Sequence, residues 1–170
     1  MTSPHRTRFG RGTAAVLLAA AMLAAALVAG PSQVGAAPAV PLSTGSNAFG
    51  QLGDAAVATR RTSPAPVDVP QLVAAAGGRD HAYGLDADGR IWAWGDNSYG
   101  QLGDGTTTTA TTPVTVTGLT NATTITAGGS HTCATRTDNT VACWGNNTSG
   151  QLGNATTTDR TTPVAVVWQR

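Results

Sequence analysis

Short apolar stretches recur along the chain between runs of Gly, Asp, Asn and Thr, and this pattern predicts strands. Residues 72–76 and 122–126 are rich in small side chains, and each is followed by a Gly-x-x-His sequence that ends at His81 or His131. The next apolar stretch, 91–95, carries both Trp and small residues. The turn residues between these stretches predict hairpins with three-residue loops.

A stretch that begins with proline also occurs once per repeat, at residues 64–69, 113–117 and 163–167. Proline lacks a backbone N–H and is therefore tolerated in an edge strand. Each repeat thus predicts four strands, which we distinguish as small-residue, histidine-bearing, tryptophan-bearing and proline-initiated.

The sequence Gly-x-x-x-x-Gly-Gln-Leu-Gly occurs at residues 45–53, 95–103 and 145–153, so the period is 50 residues. We interpret it as a structural corner in which the glycines, with Asn97, Asn146 and Asn147 among them, supply positive-φ positions. The Gln amide is expected to satisfy loop backbone groups, and the Leu to turn into the core. The repeated residues are Gly50, Gln51, Leu52, Gly53, Gly100, Gln101, Leu102, Gly103, Gly150, Gln151, Leu152 and Gly153.

Four strands per unit of this length predict an all-β chain made of β-propeller blades. We expect a partial repeat at 45–71 and two full blades at 72–117 and 122–167, with the repeats running to residue 170. Because two blades cannot close a ring, apolar faces would remain exposed. The chain is therefore expected to self-associate or to be a piece of a longer propeller.

The amino-terminal segment predicts export. Residues 1–12 carry three arginines and no acid, residues 13–29 are an almost unbroken Ala/Leu/Val run, and Val34-Gly35-Ala36 offers a cleavage site. We read 1–36 as a bacterial signal peptide and 37–44 as a flexible lead, which predicts a secreted protein without membrane attachment. An uncleaved membrane anchor is the alternative.

The charge balance argues against a nucleic-acid partner. The chain has ten Arg, nine Asp and neither Lys nor Glu, so removal of the three arginines in 1–36 leaves a net charge near −2. Beyond Arg60-Arg61 there is no basic cluster of the kind that binds phosphates. The scarcity of strong helix formers also favours an all-β fold.

The repeat 144–153, the Pro-x-x-Val that follows it, the Gly-x-x-His sequences and the returning Trp-Gly resemble the repeat of the regulator of chromosome condensation family, a seven-bladed propeller. Kelch repeats share the period but are not expected to carry Gly-Gln-Leu-Gly. Residues 91–97 are similar to the exported bacterial branch, in which one type of member inhibits β-lactamases through one face of its ring.

This resemblance implies a secreted protein-binding module that acts as an inhibitor or an adhesion-type binder of an extracellular or cell-surface protein. One alternative is a non-catalytic fragment or subunit of a larger propeller. Two others, a relative of the nuclear guanine-nucleotide exchange factor and a secreted hydrolase, fit the residues poorly. The exchange-factor hypothesis has little support because the chain is expected to be exported and contains no lysine.

No unique set of acid, base and nucleophile predicts an enzyme. His81 and His131 stand at equivalent repeat positions, so we expect them to be strand-end hydrogen-bonding residues rather than general bases. A catalytic triad is suggested only by the residue types of Ser130, His131 and Asp138. His131, Cys133 and Cys143 lack a fourth ligand at a zinc spacing, and neither a metal nor a cofactor is expected.

The loops at one end of the blades are expected to form the binding face. Alternation of strand direction places Arg79, Asp80, Asp96 and Tyr99 together there, with a cation, acids and an aromatic side chain on short loops. Trp94 and Trp144 repeat and are expected in the core. Trp92 and Trp168 do not repeat, so they are candidates for a contact surface, although Trp92 could also be buried beside Trp94.

The two cysteines are predicted to form a cross-strand disulfide. With a three-residue loop that places Asn139 in the position of Gly89, Cys133 lies opposite Cys143 at a non-hydrogen-bonded pair.

Overall fold

The computed structural model describes residues 16–20 and 41–168, and every regular element there is a β-strand. In chain order the strands are β1 Val16–Ala20, β2 Pro41–Ser46, β3 Arg60–Pro66, β4 Leu72–Gly77, β5 His81–Asp86, β6 Ile91–Gly95, β7 Ala110–Thr115, β8 Ala122–Ala127, β9 His131–Arg136, β10 Val141–Gly145 and β11 Arg160–Ala165. The part of the chain that the structure describes contains no helix long and apolar enough to cross a bilayer.

The strands form three sheets, which we call the first, second and third blades. The second blade has the order β4-β5-β6-β7 and the third has the order β11-β10-β9-β8, with antiparallel pairing throughout. These two sheets confirm the prediction of two full four-stranded propeller blades. The first blade has three strands in the order β1-β2-β3.

The first blade corrects two expectations. β2 begins at Pro41, inside the segment predicted to be a flexible lead, and it pairs antiparallel with β3. The partial repeat expected at 45–71 therefore begins earlier, inside the predicted lead. Ser43 is buried and donates its hydroxyl hydrogen to the Leu52 carbonyl at 2.8 Å, which fixes β2 against its own loop.

Strand β1 lies within the predicted signal peptide and runs parallel to β2, with Ala19 opposite Thr44. Its backbone extends the sheet beside β2 and lies close to β4 and β5 of the second blade. The rest of the predicted signal peptide and residues 37–40 of the predicted lead lie outside the described residues. Cleavage after residue 36 stays a prediction.

The proline-bearing strands begin earlier than predicted. β7 starts at Ala110, so Pro113 lies within the strand rather than at its start. The pairing register between β6 and β7 shifts near this proline: Ala93 pairs with Val114, whereas Gly95 pairs with Ala110. A bulge in an edge strand tolerates a residue without an N–H, which explains the position of the proline.

The predicted hairpin register is confirmed. Cys133 pairs with Cys143 in β9 and β10, their Cα atoms are 4.1 Å apart, and the sulfurs are joined in a disulfide. The short Cα separation is typical of a non-hydrogen-bonded pair. Asn139 has a φ of 62°, and Gly89 occupies the same left-handed position with a φ of 76°.

Replacing both Cys133 and Cys143 with alanine should lower the free energy of unfolding by about 2–3 kcal/mol, because the disulfide restricts the unfolded chain. Denaturant unfolding of the double variant and the wild-type chain would measure this loss. The wild-type chain treated with a reductant serves as the control and should show a similar loss. An unchanged free energy in both would contradict the prediction.

Adjacent blades are joined by a tryptophan that packs on the loop of the preceding blade. Trp94 is fully buried, its indole N–H donates to the Gln51 carbonyl at 2.9 Å, and it packs against Val67. A methyl group added at Gly53 would lie 3.1 Å from the Trp94 ring, so the missing side chain makes room for the indole. The blades therefore interlock in one direction along the chain.

The second and third blades share a larger core. Trp144 lies fully buried in it, close to Gly103 and Val116 of the second blade. The other buried members of this cluster are Tyr83, Leu85, Ile91, Ala93, Leu102, Leu119, Ala122, Ile125 and Ala134.

Candidate binding face

The repeated loops are held by one buried asparagine each. The Asn97 side chain donates to the carbonyls of Thr106 and Thr108, both at 3.1 Å, while its Oδ1 accepts from the Leu102 N–H at 2.9 Å. Asn147 makes the same set of bonds in the third loop. The Asn97 amide thus connects the start of the loop with Leu102 in its middle and with Thr106 and Thr108 near its end.

These bonds correct the expected role of the asparagines. The non-glycine residues with positive φ in the described chain are Asn139 and Ala155, so the backbone is left-handed at none of Asn97, Asn146 and Asn147. The glycines of the motif supply the left-handed positions, for example Gly100 and Gly103 with φ values of 74° and 69°. The asparagines instead satisfy backbone groups that the tight loop leaves without partners.

The predicted role of the glutamine is confirmed. The Gln101 Oε1 accepts from the Tyr99 N–H at 2.8 Å, and its Nε2 donates to the Asp96 carboxylate at 2.7 Å. Leu102 is fully buried, as are its counterparts Leu52 and Leu152. The loop is therefore a rigid platform whose outer side chains are fixed by bonds beneath them.

The structure brings the four predicted binding residues to one end of the second blade. The Asp96 N–H donates to the Asp80 carbonyl at 2.9 Å and thereby joins the two loops that carry them. The Arg79 side chain is highly exposed, with its Nε 3.5 Å from the Asp80 carboxylate. This ion pair is solvent-exposed, so it adds little stability and leaves the guanidinium available to a partner.

The side chains of Asp96 and Tyr99 differ in how available they are to a binding partner. The Asp96 carboxylate accepts bonds from the Ser98 hydroxyl and the Gln101 amide within its own loop, so it shapes the loop. Tyr99 has 42% of its surface exposed and presents an aromatic ring.

Sequence reasoning missed Phe49. This residue stands at the place of Tyr99 in the first loop, and it is 45% exposed. Its N–H donates to the Gln51 Oε1 at 2.9 Å, as the Tyr99 N–H does to its glutamine. The 50-residue register could have revealed it, because Ser149 holds the third position and the aromatic side chain is confined to the first two repeats.

His81 lies buried behind this face and does not act as the predicted hydrogen-bonding residue. Among residues 16–20 and 41–168 neither of its ring nitrogens has a hydrogen-bond partner, whereas its backbone carbonyl accepts from the Gly78 N–H at 2.9 Å. The ring fills the space over Gly78 and meets Tyr83 edge-on at 5.3 Å between centroids. Burial lowers the pKa of His81 to about 4, with Asp96 acting in the opposite direction and His131 adding to the decrease.

The triad-like residues are separated by the length of a strand. His131 opens β9, whereas Asp138 lies in the hairpin beyond the end of this strand at Arg136. The Asp138 carboxylate accepts bonds from the hydroxyl and the N–H of Thr140, which lower its pKa. In the described ranges, no group of three or more His, Cys, Asp or Glu side chains is placed to hold a metal ion.

The two non-repeating tryptophans have different surroundings. Trp92 is half-buried and its indole N–H donates to the Asp86 carboxylate at 3.0 Å. It lies against the cluster around Trp94, so partial burial describes it better than a free contact surface. Trp168 is 76% exposed beside Val167, which is 53% exposed.

A model of the regulator of chromosome condensation (RCC1) repeat matches residues 88–135 and 138–169. A second model of the same repeat matches residues 72–101 and 122–151. Together the matches span residues 72–169, which is more than half of the chain. No curated protein sequence matches the chain significantly.

The chain is similar to several solved structures, of which three are described here. Prp20p from Saccharomyces cerevisiae, a protein with binding properties to Gsp1p and histones, has a TM-score of 0.68 and 20% identity over 74% of this chain and 34% of its own. Human WBSCR16 has a TM-score of 0.64 and 22% identity over 76% of this chain and 39% of its own. Yeast RCC1 (Prp20) bound to Kap60 has a TM-score of 0.59 and 26% identity over 70% of this chain and 28% of its own. The chain thus spans less than half the length of each.

Proposed function

Because this chain belongs to the family built from regulator of chromosome condensation repeats, we propose that it is a protein-binding module that acts outside the cell. The supporting observation is the pairing of an exposed cation, Arg79, with an exposed aromatic side chain, Tyr99, on loops held by internal hydrogen bonds. Such side chains contribute strongly to interfaces, and rigid loops reduce the entropy lost on binding. Phe49 extends the aromatic surface to the first blade.

Similar proteins bind other proteins, since yeast Prp20p binds Gsp1p and histones and was also solved with Kap60. The charge distribution of this chain does not favour the same partners. The chain lacks lysine, residues 37–170 have no basic cluster beyond Arg60-Arg61, and Arg61 is paired with Asp54. The partner we propose is an extracellular or cell-surface protein, and inhibition of an enzyme or adhesion are the two forms that such binding would take.

Alanine replacement of Arg79 or Tyr99 should weaken partner binding by about 1–2 kcal/mol and leave the melting temperature nearly unchanged. The partner would be captured from culture supernatant on the immobilised chain, and its affinity then titrated. Arg90→Ala is the matched control, because Arg90 is also exposed and near an acid but lies in the hairpin at the opposite end of the blade. Equal losses of stability in the Arg79 and Tyr99 variants would show that these residues are scaffold.

Export is part of this proposal. The disulfide between Cys133 and Cys143 is compatible with an oxidising compartment, and the basic start, apolar run and small residues of 1–36 fit a signal peptide. Amino-terminal sequencing of the protein from culture supernatant should therefore find Ala37 first. Intact protein in the cytoplasm, starting at Met1 or Thr2 and carrying free thiols, would contradict the proposal.

We propose no catalytic role for the face. His81 has lost contact with solvent, and the Asp96 carboxylate is engaged by Ser98 and Gln101. A hydrolase screen in which Asp80→Ala or His131→Ala abolished a turnover would overturn this view.

A second candidate function is that of a subunit in a larger propeller. The exposed Val167 and Trp168 at the end of the third blade favour it, because exposed apolar surface of this kind is typical of interfaces. Association between copies of this chain is the competing possibility. Sedimentation at micromolar concentration distinguishes them, since a monomer with a cooperative melt excludes self-association.

A further inference from the structure

The hairpin end of the second blade holds a cavity on the side of the molecule away from Arg79 and Tyr99. Its volume is about 280 Å³, and the residues that line it are Arg90, Trp92, Thr115, Val116, Leu119 and Thr120. The second blade packs against the first through Trp94 and against the third through Trp144. This cavity is therefore not an end face of the stack of blades.

The residues of the cavity stand where the other blades carry different side chains. Trp92 pairs across the strands with Thr115, whereas the matching pair in the third blade is Ala142 with Ala165. The first blade has Leu42 at the position of the tryptophan. Because the blades are built alike, this departure is not required by the fold, and it indicates a function of the second blade alone.

A buried carboxylate holds Trp92 in place. The indole N–H donates to the Asp86 Oδ2 at 3.0 Å, and Asp86 is only 5% exposed. The Asp86 Oδ1 accepts from the backbone N–H groups of Asp88 and Arg90 at 3.0 and 2.9 Å. Arg136 takes the place of Asp86 in the third blade, so this support is also confined to the second. Since its N–H is already used, the half-buried indole offers a ligand its apolar ring surface.

The walls of the cavity are formed before any ligand binds. Val116 and Leu119 are 6% and 1% exposed, so they are anchored in the core. A methyl group added at Gly89 would lie 3.0 Å from the Thr120 carbonyl oxygen, and the Gly89 carbonyl accepts from the Ala122 N–H at 3.1 Å. The hairpin is thus packed closely against the segment that enters the third blade. A preformed cavity of this kind reduces the entropy lost on binding.

Arg90 supplies the charge of the cavity. Its side chain is 56% exposed, and its Nη1 lies 4.0 Å from the carboxylate of Asp88, which is itself 76% exposed. A pair so open to solvent is weak, so the guanidinium is free to turn toward a ligand. Its planar set of N–H donors matches the two oxygens of a carboxylate. The exposed threonines Thr115 and Thr120 add hydroxyl groups that both donate and accept.

We propose that this cavity binds a saccharide unit that carries a carboxylate, of the hexuronic acid class. The C–H face of the sugar ring packs on the Trp92 indole, and the sugar carboxylate accepts from the Arg90 guanidinium. The ring hydroxyls exchange hydrogen bonds with Thr115 and Thr120. The volume suits a single ring, because pockets for drug-sized ligands measure roughly 300–1,000 Å³. This activity goes beyond the proposed protein binding and does not depend on it.

Charge and polarity distinguish this ligand from others of similar size. Arg90 would repel a cationic ligand, and a purely apolar ligand would leave the guanidinium and the two hydroxyls without partners. A peptide that ends in phenylalanine offers a ring and a carboxylate, but its ring has no hydroxyls to meet Thr115 and Thr120. A hexuronic acid combines an apolar face, a carboxylate and hydroxyls in one unit.

The test titrates methyl β-D-glucuronide into the isotope-labelled full chain. The matched probe is methyl β-D-glucoside, in which a hydroxymethyl group replaces the carboxylate. The indole resonance of Trp92 and the amide resonances of Thr115 and Thr120 should shift and saturate with the glucuronide. The glucoside should bind at least about tenfold more weakly, because the hydrogen bonds between its carboxylate counterpart and the Arg90 guanidinium are lost.

Variants assign this preference to the cavity. Arg90→Gln should bring the dissociation constants of the two glycosides within about twofold of each other. Arg60→Gln, which removes an exposed arginine of the first blade, is the matched control and should preserve the difference. Trp92→Ala should abolish saturation with both glycosides. Thr115→Val keeps the test decisive if Trp92→Ala melts below the wild-type chain, and it should weaken glucuronide binding by about threefold or more.

Equal affinity for the two glycosides, or a preference for the glucuronide that survives Arg90→Gln, would overturn the proposal. So would a glucuronide response that does not saturate at Trp92, Thr115 and Thr120. Tighter binding of N-acetylphenylalanine than of the glucuronide would assign the cavity to a peptide carboxyl terminus and would also overturn it. Partner capture at the opposite end of the blade is measured separately, so either result can fail without the other.

Discussion

Replacing Trp94 with alanine should lower the free energy of unfolding by about 3–5 kcal/mol. The indole is fully buried between the first and second blades, so its loss leaves a cavity next to Val67. The Gln51 carbonyl also loses its hydrogen-bond donor. The first blade depends on this contact because, in the part of the chain that the structure describes, it has three strands and the others have four. Denaturant unfolding followed by circular dichroism would measure the change.

Trp92→Ala is the matched control for this variant. Trp92 lies two residues away in the same strand but is half-buried, so its loss should be clearly smaller. Limited trypsin digestion adds a local measurement, because Arg60 and Arg61 lie in β3 of the first blade. Trypsin should cleave the Trp94→Ala variant at these arginines faster than the Trp92→Ala control. Equal cleavage rates and equal stabilities of the two variants would contradict the proposed role of Trp94 in joining the blades.

Stability should also decrease in acid because of His81. The pKa of this histidine is about 4 in the folded chain and near 6.5 when unfolded, so the unfolded state binds the proton more readily. Its contribution is therefore fully present above pH 6.5 and is lost as the pH falls toward 4. By linkage the loss is about 3 kcal/mol, and unfolding curves measured across this range would detect it.

His81→Phe tests the assignment of this acid sensitivity. The imidazole nitrogens have no partners, so a phenyl ring over Gly78 loses no hydrogen bond and should cost less than about 1.5 kcal/mol at neutral pH. The variant should show a markedly flatter dependence between pH 6.5 and 4. A slope as steep as that of the wild-type chain would assign the effect to other groups.

The elements that follow a simple periodicity could be predicted from the sequence. The small-residue, histidine-bearing and tryptophan-bearing strands recur with turn residues between them, and the spacing of the hairpin was enough to place Cys133 opposite Cys143. The loop motif likewise identified the buried leucines, because a glycine-rich corner needs an apolar anchor.

The remaining differences have local physical causes. β2 has no clear sequence signal because Thr44 replaces the tryptophan that marks its counterparts, and β7 begins before Pro113 because a bulge accommodates the proline. The role of Asn97 depends on carbonyls from Thr106 and Thr108, which only the folded loop brings within reach. Phe49 is harder to recognise because its repeat carries Thr44 where the other two carry Trp94 and Trp144.

The one-directional contact between blades has a consequence for polymerisation. A chain that had such a tryptophan in its first blade and an uncovered loop of the same kind in its last blade would be complementary to itself head to tail. Contacts of this type close into rings when the rotation allows it and otherwise grow into filaments without limit. In the first blade Thr44 holds the register position of this tryptophan, so the described blades carry no indole at that place for a head-to-tail contact of this kind.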